Sequence, residues 1–147
     1  VLYYFFKKLN VVQTIHLKTS KERIWPLLLN SIIIGNLCFR ILPKSVSIEL
    51  HYLFLGVMIT ALVGLCLAFL KFKTSIHMMS TGGAFFFMVL VDLHYGLSYN
   101  TTFAIFIVIM GAMASSRLHL NAHTVKELTV GLIVGVCPQL LLMKYWL

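Results

Sequence analysis

Apolar residues fall along this chain in five long runs, at about residues 25–41, 50–70, 77–97, 101–116 and 128–147, separated by short polar breaks. Each approaches the roughly 20 residues that a helix needs to cross the hydrocarbon of a bilayer. Residues 84–91 and 103–110 are apolar at every position, whereas a barrel strand alternates apolar and polar side chains over about ten residues. Backbone in hydrocarbon must satisfy its own hydrogen bonds, so the pattern predicts an all-α integral membrane protein, a bundle of five transmembrane helices. No internal repeat, low-complexity tract or long linker interrupts it. A single transmembrane helical domain over residues 1–147 is the expectation.

Composition agrees with this pattern: 60% of the residues are hydrophobic and 11% are charged. Residues 1–23 differ, being apolar and then basic, and read as an interfacial N-terminal segment ahead of the first span. The chain opens on Val1 rather than methionine. A preceding helix, hence six spans in a full-length chain, is therefore an expectation.

A net charge of +8 would suggest nucleic acid in a soluble protein, but here the basic residues lie mostly at span ends, where topology explains them. No nucleic-acid partner is expected. With five spans, the N-terminal segment, the loop holding Lys71 and Lys73 and the loop from Arg117 to Lys126 share one side, with nine of the twelve Lys and Arg residues. The positive-inside rule would make that side cytoplasmic. Localisation in a bacterial inner membrane, as a multi-pass protein, is expected. Cys38, Cys66 and Cys137 are scattered within the runs and read as packing residues.

Ionisable residues are costly near hydrocarbon, so their clustering between two apolar runs calls for a reason. Residues 116–127 read Ser-Arg-Leu-His-Leu-Asn-Ala-His-Thr-Val-Lys-Glu. If a helix begins near His123, Glu127 lies one turn on and can orient the imidazole, leaving its other nitrogen free to attack. Arg117 could present its planar fork to phosphate oxygens. Lys73 and His77 are four apart, on one helical face and on the same side of the membrane.

The run Ser116, Arg117, His123, Glu127 resembles the third motif of the type-2 phosphatidic acid phosphatase superfamily: Ser-Arg, five residues, His, three residues, Asp. Here the Asp is Glu127. Ser80-Thr81-Gly82-Gly83 resembles the family's second motif, Pro-Ser-Gly-His, at the opening of the third span, where exposed backbone N–H groups would hold an anion. In that register Gly83 stands where the family has its acid histidine, and His77 is the candidate replacement. Lys73 resembles the lysine of the first motif, Lys, six residues, Arg-Pro, which is otherwise not matched.

The resemblance covers residues 73–147 as a phosphatase-like core. It implies a lipid phosphatase that hydrolyses a phosphate monoester or pyrophosphate through a phosphohistidine, with no metal and no cofactor. His123, Glu127 and His77 would be catalytic, and Arg117, Lys73, Ser116, Thr81 and Gly82 would bind the substrate phosphate. Its partners would be membrane lipids and a lipid phosphate substrate.

Two other readings use other residues. A catalytically inactive phosphatase-like subunit of a larger membrane complex would use small residues for helix contact: Gly111, Ala112, Ala114 and Ser115, or Gly131 and Gly135 in GxxxG spacing. A b-type haem subunit would pair His51 with His94, or His77 with His123. Asp92, beside His94 at a span edge, could mark a proton path or be simply interfacial.

Overall fold

The computed structural model describes residues 23–147; the basic segment expected over residues 1–23, except Arg23, and any preceding helix lie outside the described residues. Those described form helices α1 (Ile24–Asn36, continued by a π-helical turn at Leu37–Ile41), α2 (Ile48–Phe69), α3 (Ile76–Tyr95), α4 (Asn100–His119) and α5 (Val125–Leu142, then a 3-10 turn at Met143–Tyr145). All five are long and apolar enough to cross a membrane. The fold is all-helical, as the apolar runs predict.

The helix ends have local causes. Pro43 bars Leu42 from helical geometry, which stops the π-turn after α1. Ser47 and Ser75 are extended, and their hydroxyls accept the backbone N–H of Leu50 and Met78 at the starts of α2 and α3. Gly96, at φ 64°, closes α3 in the left-handed conformation. Asp92 then accepts the N–H of Tyr99 at 2.8 Å, just before α4. That edge carboxylate thus has a structural partner.

α3 and α5 form the tightest crossing, built on glycine. A Cβ at Gly131 would lie 2.8 Å from Ser75 O, one at Gly82 would lie 2.6 Å from Leu132 Cδ1, and one at Gly135 would collide with Met79 O. The GxxxG spacing therefore serves contact within the bundle. Pro138 cannot bond back to Val134 O, and Thr60 of α2 donates to that carbonyl at 3.4 Å. α1 packs on α2, and α2 on α5.

α4 stands apart, with no buried residue, held to α3 through Phe85 against Phe103 and Phe106. A Cβ at Gly111 would meet nothing within 4 Å. Gly135→Ala is accordingly expected to lower stability by about 1–3 kcal/mol through forced separation of α3 and α5. Gly111→Ala should leave it unchanged. Thermal unfolding of the two variants in detergent checks the contrast, and equal midpoints would contradict the close crossing.

Candidate functional site

The crossing of α3 and α5 sets two loops side by side: the α2–α3 loop ending at Ser75 and the α4–α5 loop ending at Thr124. Three links join them to each other and to the start of α1. Ser75 N donates to Glu127 O at 3.3 Å, Lys73 Nζ donates to Ala122 O at 2.6 Å, and Arg23 Nη1 donates to Thr74 O. Within the α4–α5 loop, Asn121 takes a positive φ of 48°, and Ala122 N and His123 N both donate to Arg117 O, at 3.0 and 3.4 Å. This turn folds the chain back so that Arg117 and His123 lie on one side of the bundle.

His123 is buried, with Glu127 Oε2 2.7 Å from Nδ1 and Arg23 Nη2 3.2 Å from Nε2. A guanidinium can only donate, so Nε2 accepts and Nδ1 carries the hydrogen that it donates to Glu127. This is a neutral imidazole in one defined tautomer. Its pKa is lowered from the usual 6.5, mainly because burial penalises the cation; the Glu127 hydrogen bond opposes this, and the charges of Arg23 and Lys73 reinforce it.

Glu127 has a second role. Thr124 Oγ1 accepts from Glu127 N at 3.3 Å while Glu127 Oε2 accepts from Thr124 N at 3.2 Å, a capping box that starts α5. The same carboxylate oxygen thereby starts the helix and aims the histidine.

In the first turn of α3, His77 Nε2 accepts from Arg117 Nη2 at 2.9 Å, while Arg117 Nε is buried without a protein partner. The structure thus brings two histidines, each facing a guanidinium, together with Lys73 and Glu127. Among the described residues no three His, Cys, Asp or Glu side chains gather so as to hold a metal ion. The gathered side chains are mainly cationic, which suits an anion.

Other candidates fall elsewhere. Residues 80–83 do not open a helix: α3 starts at Ile76, so their N–H groups belong to a helix interior rather than an anion-binding end. Thr81 Oγ1 donates to His77 O at 2.7 Å, Gly82 is buried against α5, and Ser116 lies exposed on α4. His51 is held by its own surroundings, with Leu42 O 3.0 Å from Nδ1 and its ring against Phe39 and Tyr52, whereas His94 packs on Tyr95 and Trp146.

Arg23 is the functional candidate that the sequence reading missed. Its position just before the first span, on the side shared with Lys73 and Arg117, was the available signal. Compared with family models, curated proteins and solved structures, the chain finds no match.

Proposed function

We propose that this is a multi-pass membrane protein of a bacterial inner membrane that hydrolyses a phosphate monoester or pyrophosphate of a lipid through a phosphohistidine. The observation that carries the reading is His123, held neutral between Glu127 and Arg23, with its only lone pair directed at a cation. A phosphate entering there would take over the guanidinium groups of Arg23 and Arg117, since a dianion outcompetes a neutral imidazole as an acceptor. Lys73 adds positive charge beside it.

With Arg23 moved onto phosphate oxygens, Nε2 is free to attack phosphorus. The N–P bond forms as the ester P–O bond breaks, and Glu127 stabilises the positive charge that develops on the imidazole. His77, released from Arg117 and placed near the anion, takes up a proton and passes it to the departing lipid oxygen. Water then attacks phosphorus, gives its proton to His77, and leaves phosphate and the original imidazole.

The test is rapid quenching in alkali after mixing detergent-purified protein with a lipid phosphate labelled in its phosphoryl group. Label should appear on the protein, survive alkali and be lost in acid, as a phosphoramidate would be. Phosphate release without labelled protein at any time would overturn the phosphohistidine.

Acidity offers a second check. Because the His123 pKa is lowered, its nucleophilic form persists below pH 6.5, and the acid limb of kcat/KM belongs there. Glu127→Gln removes the influence that raises that pKa, so the limb should move further towards acid as the rate falls. Titration of the substrate is common to both proteins, so the displacement between them reports on His123. A limb moving towards neutral would contradict the assigned pairing.

A further inference from the structure

We propose that a second pocket, at the end of the bundle away from His123, binds a hydroxyaryl ring that carries a phenolic hydroxyl and a second, acceptor oxygen, as a quinol or a hydroxyquinoline does. This site goes beyond the phosphohistidine reading and does not depend on it.

α1 and α5 start on the His123 side and end across the bundle, where α2 begins. Between those three ends lies a cavity of about 370 Å³, lined by Phe39 of the π-helical turn, Lys44 of the loop after it, His51 and Tyr52 of α2, and Tyr145 just beyond α5. Leu55 and Leu142, about a turn further into the bundle, keep its floor apolar. An apolar cavity of about 150 Å³ takes one benzene, so one of about 370 Å³ takes a substituted or fused ring.

One polar group in that wall is buried and unused. His51 is 6% exposed, and its Nδ1 lies 3.0 Å from Leu42 O. A carbonyl only accepts, so Nδ1 carries the hydrogen and Nε2 is left as an acceptor that no donor among the described residues reaches. Leu42 lies outside the cavity wall, so the ring presents its other edge, with Nε2, to the cavity. Its place is fixed. Cys38, fully buried in the π-helical turn, donates from Sγ to His51 O at 3.5 Å, and the Phe39 and Tyr52 rings meet the imidazole edge to face at 6.0 and 5.4 Å between centroids.

Lys44 supplies a cation opposite this acceptor. Its Nζ stands 4.9 Å over the Tyr52 ring, which is itself stacked on Tyr145 at 6.0 Å and 11° from parallel. The pocket therefore offers ring faces, one acceptor and one cation. A hydroxyaryl ring uses all three, with its hydroxyl on Nε2, its second oxygen on Lys44 and its face against the tyrosines. A phosphodiester headgroup would use the lysine but bring no ring to Phe39, Tyr52 and Tyr145. Lys44 and Tyr145 alone would be ordinary interfacial anchors, and the buried acceptor is what distinguishes the place.

The experiment is a titration of the detergent-purified full chain with heptyl-hydroxyquinoline N-oxide, followed by the quenching of its fluorescence, beside the O-methyl ether of the same compound. Quenching by the parent should saturate at one probe per chain. The ether has no donor for Nε2 and should bind about tenfold more weakly, since it leaves a buried acceptor unpaired. His51→Asn keeps an amide donor for Leu42 O but has nothing in place of Nε2, so it should erase the discrimination between the two compounds. Lys44→Met should weaken the parent about threefold, and Lys44→Arg should restore it. His123→Ala, at the far end of the bundle, should bind as the native chain does.

Quenching that never saturates, equal affinity for the parent and its ether, or loss of binding in His123→Ala would overturn the proposal. Saturation that an equal amount of phosphatidylglycerol removes would also overturn it, in favour of an anionic headgroup. The comparison of parent and ether uses the unaltered chain, so it decides the matter even where His51→Asn fails to fold.

Discussion

Replacing His123 by alanine is expected to cut phosphate release from a lipid phosphate by at least about 10³-fold, as loss of a nucleophile does elsewhere. The fold should survive. Glu127 keeps its capping-box bond to Thr124 N at 3.2 Å, so α5 still starts at the same place, and Arg23 keeps Thr74 O. Circular dichroism in detergent should therefore show unchanged helix content while phosphate assays show no turnover. Retained release in a helical, well-folded variant would remove His123 from the chemistry. Loss of both properties would instead give the residue a structural role.

Arg23→Ala should have the next largest effect, a loss of about 10²–10³-fold, the usual scale for deleting one preorganised partner of a developing charge. Arg23 is 5% exposed and bridges the α2–α3 loop to His123, so its guanidinium is already in place before any phosphate arrives. Lysine should restore little, because a point charge cannot span Thr74 O and the ligand as the planar fork does. The acid limb separates this role from mere packing. Arg23 lowers the His123 pKa, so its removal should move the limb towards neutral pH, opposite to the displacement expected for Glu127→Gln. A rate loss with an unmoved limb would place Arg23 in the scaffold alone.

Particular residues show how far the primary structure could be read. The pair His123 and Glu127 was legible because the two lie four residues apart across the start of one helix, His123 just before the cap Thr124 and Glu127 in the first turn, where the short spacing keeps them close. The run at residues 80–83 was misplaced. Small residues before an apolar stretch look like a helix start, but the true cap is Ser75, and the glycines lie where α3 touches α5. Local sequence cannot distinguish a glycine kept for an anion from one kept for a neighbouring helix, since both simply lack a Cβ. Asp92 shows the same limit, because its partner, Tyr99 N, depends on the turn that Gly96 makes possible.

Hydrophobic period and length alone suffice for the five helices, because a bilayer leaves a long apolar segment no other way to satisfy its backbone. They also place Lys73, His77, Arg117 and His123 at one end of the bundle, since each crossing reverses the chain's direction. Which cation faces which histidine was decided only by packing. Arg23 and His123 are separated by most of the chain, and they meet at 3.2 Å because glycines let α3 and α5 approach until Ser75 N reaches Glu127 O. The pocket at His51 likewise exists only in three dimensions, as the space left between the ends of α1 and α5 and the start of α2.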